Sequence, residues 1–441
     1  MPVKTSVGVG NPNAMKLQAA GLFTQSMRRN STLGRLSGAM PKGEESVNGT
    51  LKTQTAIDMP IVKSIDTGRG KGDEVEFNFV QPINAFPIMG DEIAEGKGVG
   101  LNLDKARVRV NQARFPVDTG STMTAIRSPA DFRKMGIAAA QSLLDSYLDQ
   151  SLLVQMAGAR GSQMNAEWRL PLASDPKFAG MMTNTVKAPT KNRHFIARTG
   201  TGGAKDTIVE FSSVAASGAP LSGTLTTDLL NMDVVDSIRT MIESIPLAPP
   251  AIKIPGDVVA EDSPLRVLLV SPAQYFTFAQ SKDFRQFQAN AIARAAKAQN
   301  HPLFLGECGL WNGILIMKMP RPIRFYAGDA ISYAASNTSE VESQTTVPAA
   351  FGTNFAIDRA ILLGGQAIAQ AFGASGHSGM PVFYKEKLFD HDDKSEVLAG
   401  VIQGISKIRW NVDQGNGVSH FTDHGVIAID TAVPIMAGLG S

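Results

Sequence analysis

The sequence predicts an α+β fold, on three observations: one long helical stretch at residues 128–158, short segments alternating with a period of two, and no regular strand–helix succession of the kind that builds a parallel α/β sheet. The helical stretch reads SPADFRKMGIAAAQSLLDSYLDQSLLVQMAG. Ser128 suits an N-cap, Pro129 the first helical position, and Asp131 completes a capping box whose carboxylate meets the positive end of the helix dipole. Ile137, Ala140, Leu144, Leu148 and Leu152 recur every three or four residues, and Phe132, Met135, Ala139, Leu143 and Tyr147 form an adjoining row. Arg133, Lys134, Asp145 and Asp149 fall outside both rows, and Gly158 supplies the stop. At about 1.5 Å per residue such a helix spans about 43 Å, enough to act as a spine.

With 43% hydrophobic and 19% charged residues, the 441-residue chain has material for a sizeable core and about two or three domains. A net charge of +2 argues against a protein that coats nucleic acid over its whole surface, but the charge is uneven. Lys4, Lys16, Arg28, Arg29, Arg35 and Lys42 stand in residues 1–43 without one Asp or Glu. The single Cys308 allows no intrachain disulfide and suits a reducing compartment. No apolar run approaches the roughly 20 residues of a membrane span, and the Met1 end lacks the apolar core of a signal peptide.

Residues 1–49 are polar, rich in Gly and Ser, and read as an extended arm. In KGDEVEFNFVQ, Val75, Phe77 and Phe79 alternate with Glu74, Glu76 and Asn78; after a glycine-rich connection, Ala106, Val108 and Val110 alternate with Lys105, Arg107 and Arg109. Together they make a long hairpin with an acidic tip at Asp91, Glu92 and Glu95 and a basic returning strand. A lone hairpin is marginal in water, so it needs a surface to lie on. Periodicity fades from 161 to 227, apart from a short strand at 207–211. Leu230, Val234, Ile238, Met241 and Ile245 mark a second amphipathic helix, ended by PLAPPAIKIP. RVLLV at 266–270 reads as a buried strand, Ser271-Pro272 as a helix start, and Ser281 as the start of another helix carrying Phe284, Phe287, Ala291, Ala295 and Ala298. Residues 311–317 and 323–326 read as strands, 357–372 as a helix closed by Gly373, and 401–412 and 426–429 as strands joined through the turn DQGNG.

No segment carries a convincing catalytic signature. TGTGGAKD at Thr199 has glycines but no Gly-Lys-Ser/Thr ending, and reads as a loop. Asp390, His391, Asp392, Asp393 and Glu396 could hold a cation, but run together on one polar loop they read as a solvated surface. His420, Asp423 and His424 have a ligand-like spacing without an evident third site, and Cys308 sits among turn residues in GECGLWNG. The expectation is a structural protein with no cofactor and no catalytic or metal site.

Three stretches, in order, resemble a known family: KGDEVEFNFVQPINAFPIMGDEIAEGKGVGLNLDKARVRVNQARFPVDTG; SPADFRKMGIAAAQSLLDSYLDQSLLVQMAGARG; and the later group LLVSPAQYFTFAQSKDFRQFQANAIARA, GLWNGILIMKM and FAIDRAILLGGQAIAQAFG. The chain is similar to major capsid proteins of tailed bacteriophages, of the N-four-like podovirus type, with the Hong Kong 97-type (Johnson) fold. The likeness covers most of residues 50–432. It implies an N-terminal arm (1–58), an extended loop hairpin (59–120), a peripheral domain with the spine helix (121–225), an axial domain with returning segments (226–400) and C-terminal strands (401–441).

The same resemblance implies self-assembly, as hexamers and pentamers, into an icosahedral shell around double-stranded DNA, in a virion assembled in the host cytoplasm. Portal and scaffolding proteins, the packaged DNA and a decoration protein are the expected partners. Phe77, Phe79, Asp91, Glu92, Glu95, Arg107 and Arg109 are the expected inter-subunit contacts on the extended loop. The six cations of the arm either face DNA or pair with carboxylates on a neighbouring subunit. Only about 50 residues precede the loop and they lack sustained heptads, so a separate scaffolding protein is expected rather than a fused one. No position matches the lysine and asparagine partners of covalent cross-linking. Two rival readings share fewer features: an encapsulin-like compartment shell, and a metal-dependent hydrolase built on residues 390–396.

Overall fold

Strand dominates the computed structural model, which describes residues 59–67, 73–80, 87–90, 92–98, 103–121, 132–254, 264–280, 309–373, 381–391, 393–413 and 418–435, with isolated positions at 33, 36, 37, 289, 290, 292, 293 and 296. Strands β1 (Ile61–Thr67), β2 (Glu74–Val80), β3 (Leu103–Arg109) and β4 (Asn111–Ser121) precede the long helix α1 (Phe132–Ala157). A short helix α2 (Lys177–Met182), β5 (His194–Arg198), β6 (Thr207–Glu210), the one-turn α3 (Phe211–Val214) and α4 (Met232–Ser244) follow. Next come β7 (Arg266–Val270), α5 (Pro272–Ala279), β8 (Gly309–Trp311), β9 (Ile314–Lys318), β10 (Arg324–Phe325), β11 (Ala330–Ala334) and β12 (Glu342–Thr346). The last described elements are β13 (Phe355–Leu363), β14 (Ile368–Gly373), β15 (Val382–Phe389), β16 (Lys394–Lys407), β17 (Arg409–Asp413), β18 (Ser419–Asp423) and β19 (Val426–Pro434).

Among the described residues two large sheets form. The first has five strands in the order β1-β14-β16-β15, with β4 on β16, and α1 lies on it. Leu144, Leu148 and Leu152 share a core with Val397, Ala399 and Val401 of β16 and with Phe115 and Val117 of β4, and the Phe115 and Tyr147 rings meet at 5.5 Å. The second sheet has eight strands, in the order β6-β5-β19-β13-β7-β9-β8 with β10 on β13. Its strands alternate between two cores. Val267, Leu269, Leu315, Met317, Ile357 and Ile361 face the core shared with α1, while Leu268, Val270, Ile314, Ile316, Ala360 and Leu362 face α4 and α5.

This double coverage explains where sequence patterning misleads. Residues 357–372, expected as one helix, are β13 and β14, two strands of different sheets separated by Gly364 and Gly365. A strand buried on both faces shows an unbroken apolar run instead of alternation, and such a run also fits a buried helix. The strand expected at 311–317 is the tight hairpin β8–β9, turned by Asn312 (φ 46°) and Gly313 (φ 75°); a Cβ at Gly313 would lie 2.9 Å from the Pro264 carbonyl oxygen. The strand expected at 401–412 breaks at Ile408, so that β16 stays in the five-stranded sheet and β17 pairs with β18, while β19 joins the other sheet; the turn expected at DQGNG lies, after Asp413, outside the described residues.

Helix α4 forms as its spacing predicts, with the Asn231 side chain accepting from Val234 N–H, and Ser271 opens α5 in a capping box with Gln274. The expected capping box of α1 at Ser128 and Asp131 lies outside the described residues, as does most of the helix expected from Ser281, of which the described positions 289, 290, 292, 293 and 296 are helical. Gly158 ends α1 at φ 63°. The apolar rows of α1 are buried unequally: Met135 is 57% exposed, whereas Asp145, outside both rows, is buried. The last two turns are buried all round, and polar side chains of the C-terminal half of α1 bind the irregular segment that follows. Gln150 donates to the Glu167 carbonyl (2.7 Å) and accepts from Arg169 N–H (2.7 Å), and the Tyr147 hydroxyl donates to the Met181 carbonyl (2.6 Å). Segment 161–227 thereby gains its place, running along α1 before β5 and β6 enter the eight-stranded sheet. The arm is also more anchored than its polarity suggests: Leu33 and Leu36 are fully buried in the main core, and Lys63 donates to Ser37 Oγ at 2.9 Å.

Buried ions tie the layers together. Arg359 on β13 sits opposite Asp430 on β19 and binds its carboxylate through two nitrogens at 2.7 and 2.9 Å, with both side chains fully buried. His194 Nε2 lies 2.9 Å from both Asp430 Oδ2 and Arg359 Nη2, and Arg359 donates to the carbonyl of Ala157, the last residue of α1, at 3.0 Å. A second cluster places Asp423 between Lys407 (2.9 Å) and Arg409 (2.8 Å). Burial pulls against the charged form of Asp423, but Arg409 and Lys407 prevail and hold its pKa to about 2.

Arg359→Met should therefore strand Asp430 in the core and cost about 3–5 kcal/mol in denaturant unfolding, whereas Arg359→Met with Asp430→Leu should recover most of the loss. Acid should weaken the fold by a separate route. Burial, and then the Arg359 charge, push His194 down to about 4, and burial and then Arg193 do the same to His424. An unfolded imidazole takes its proton near pH 6.5 and these folded ones only near 4, so the stability they contribute is complete above 6.5 and drains away as pH falls towards 4. For His194 the loss is at most about 3 kcal/mol. Denaturant midpoints measured between pH 7.5 and 4.5 should fall, and should fall less steeply in His194→Gln.

Candidate assembly interface

The projecting hairpin is the ladder β2–β3, in the register Glu74↔Arg109, Val75↔Val108, Phe77↔Ala106 and Phe79↔Asp104. Its root has a floor within its own chain. Val75 and Ala106 pack on Val108, Val62, Ala369, Ala371, Ile408, Trp410 and Val412, a small core separate from the two large ones. The surface the hairpin needs is thus supplied at its root by its own chain, where β14 and β17 give the cover. Trp410 and Ile408 were not singled out from the sequence; the alternation of Trp410 and Val412 in the returning hairpin was the available signal.

Of the expected contact residues, Arg107 and Arg109 are engaged inside the hairpin. Arg107 pairs with Glu76 at 3.0 Å and Arg109 with Glu74 at 3.1 Å, joined by Lys105–Glu76 at 3.3 Å. Lys105, then Arg107, holds the Glu76 carboxyl below its ordinary range. The ladder explains these pairs, since opposite charges face each other across antiparallel strands. Glu92 at the tip pairs with Lys97 at 2.8 Å, and Glu95 is exposed. Asp91 lies outside the described residues, as do the side chains of Phe77 and Phe79 and the arm cations Lys4, Lys16, Arg28, Arg29, Arg35 and Lys42. Beside Glu92 the tip presents Met89 and Ile93, 73% and 74% exposed, with Ile88 less so.

The candidate chemical sites take other roles. Asp390 and His391 form the tight turn between β15 and β16, both at positive φ, and Asp390 pairs with Lys394 at 3.0 Å. Asp392 lies outside the described residues. Asp423 is the buried partner of Lys407 and Arg409, and the His424 ring meets Trp410 edge-on at 6.4 Å. Among the described residues no three His, Cys, Asp or Glu side chains converge as a metal site would require. Thr199–Asp206 is the loop of the β5–β6 hairpin, where Gly200 N–H donates to Asp206 at 2.8 Å.

A search of curated proteins returned no match. Among solved structures, the fold is similar to the capsid of Ralstonia phage GP4, with 21% identity, 90% of this chain and 97% of that chain covered, and a TM-score of 0.64. It is similar also to the capsid of Helicobacter pylori bacteriophage KHP30 (12% identity, 90% and 96% covered, TM-score 0.51) and that of Cyanophage Pam1 (14%, 90% and 95%, 0.50). These likenesses establish the Hong Kong 97-type fold. The model of the phage capsid protein family matches residues 6–435, nearly the whole chain, and the chain belongs to that family as a major capsid protein.

Proposed function

We propose that copies of this chain interlock through the β2–β3 hairpin as hexamers and pentamers, closing the icosahedral shell of a tailed phage. The observation that carries this reading is the contrast along the hairpin: a root floored by Trp410 and its neighbours, and a tip with Met89 and Ile93 open. An apolar tip on a projecting arm is explained by a neighbour that covers it. In this reading the five-stranded sheet with α1 is the peripheral domain and the eight-stranded sheet with α4 and α5 the axial domain, which moves β14, β15 and the first half of β16 out of the expected axial range 226–400 and β5 and β6 out of the expected peripheral range 121–225. The protein is structural rather than catalytic. Scaffolding and portal proteins, a decoration protein and the packaged duplex DNA are its proposed partners, with assembly in the host cytoplasm.

Burying one such apolar side chain is worth about 1.5–3 kcal/mol. Met89→Asp with Ile93→Asp should abolish closed shells in electron micrographs while leaving the melting temperature of the unassembled protein within about 2 °C. Normal shells from this variant would refute the interlocking role of the tip.

The arm cations contact DNA on the shell's inner surface, supported by six positive charges without one acid in residues 1–43. Arg28→Gln with Arg29→Gln should then leave assembly of empty shells intact and lower the DNA stably retained. Poor assembly without DNA, counted by light scattering, would assign these two arginines to a neighbouring subunit's carboxylates instead.

A further inference from the structure

The hairpin leaves the body at an elbow one residue long. β3 ends at Arg109 in the hairpin ladder, β4 begins at Asn111 paired with Gln403 in the five-stranded sheet, and only Val110 lies between, its N–H donating to the Asp73 carbonyl at 2.7 Å. Rotation at so short a joint would swing the whole projection. Seven strand residues reach about 23 Å, so a turn of about 10° at the root moves the far end by about 4 Å.

The outer backbone edge of the elbow is taken by a side chain 75 residues away. Asn184 Oδ1 accepts from Arg109 N–H at 2.9 Å, and Asn184 Nδ2 donates to the Arg109 carbonyl at 2.9 Å. A primary amide offers the same donor and acceptor as a peptide group, so Asn184 acts as a one-residue extension of the ladder; neither a carboxylate nor an aliphatic side chain could do both. The chain is strained to aim it there. Thr183 adopts φ 64°, ψ −58°, with Asn184 N–H donating to the Met182 carbonyl at 2.7 Å, a γ-turn of the rarer hand on a β-branched residue. Two contacts fix the clamp. Gln155 of α1, 1% exposed, donates through Nε2 to the Asn184 carbonyl at 2.9 Å. Gly404 of β16 lets the elbow approach, since a Cβ there would lie 2.0 Å from the Arg109 carbonyl oxygen.

We propose that Asn184 is the positioning residue that sets the direction of the hairpin, and that Gln155 keys this direction to α1. A displacement of the C-terminal half of α1 is thereby passed to the projection through two side-chain amides. The consequence for assembly rests on the interlocking reading above; the clamp itself does not.

Spin labels at Glu95→Cys on the tip and Ser142→Cys on the exposed side of α1, in a Cys308→Ser background, report the hairpin direction in the unassembled full chain by pulsed electron–electron distance measurement. The parent should give a narrow distribution. Asn184→Ala should at least double its width, and Asn184→Asp, which keeps the acceptor but loses the donor, should also broaden it, with little change in melting temperature. Gln155→Met, which keeps the volume but loses the donor to the Asn184 carbonyl, should broaden it too. An unchanged width in Asn184→Ala overturns the clamp, and an unchanged width in Gln155→Met beside a broadened Asn184→Ala overturns the link to α1. Broadened distances with shells of normal yield and diameter uphold the clamp and count against the interlocking reading instead.

Discussion

The ion cluster of Arg359, Asp430 and His194 is the point on which the two layers depend. Arg359 and Asp430 are direct cross-strand neighbours on β13 and β19, in the middle of the eight-stranded sheet, and neither touches water. Burying such a pair repays its desolvation only when every remaining donor and acceptor is used, and here the Ala157 carbonyl at the end of α1 takes the spare Arg359 nitrogen. That one contact joins the sheet to the helix that carries the other sheet. It also places a cation at the negative end of the dipole of α1, whose own last turn has no basic residue.

Around this junction the architecture divides labour between rigidity and reach. The eight-stranded sheet is covered on both faces and the five-stranded sheet is backed by α1, so the body is over-determined. The β2–β3 hairpin is supported at one end only. On the proposed interlocking, a shell would use both properties: a body that keeps its shape when many copies press on one another, and a projection whose apolar end is covered by another copy. The charged ladder of the hairpin keeps Glu74, Glu76, Lys105, Arg107 and Arg109 occupied with one another, leaving the tip as the part with open chemistry.

How far the sequence could be followed varies with the exposure of each element. The hairpin, half exposed, kept its alternation, so both of its strands were legible; α4, with one wet face, kept its helical spacing. β13 did not, because both of its faces are buried and its pattern became a run, so a strand was expected as a helix. Among the candidate contacts, the acidic tip and basic flank were readable as charge, but not that Arg107 and Arg109 would be spent within the hairpin.

The sequence by itself determined the mixture of helix and strand, the end of α1 at Gly158, the hairpin of β2 and β3 and the absence of a recognisable catalytic motif, because each rests on local spacing along the chain. Only the tertiary structure decided which sheet each strand joined, that polar Gln150 and Gln155 would be buried to hold segment 161–190, and that Asn184 would meet Arg109. Those outcomes pair groups up to hundreds of residues apart, as with Arg359 and Ala157, and a buried polar side chain looks the same in sequence as an exposed one until its partner is in place.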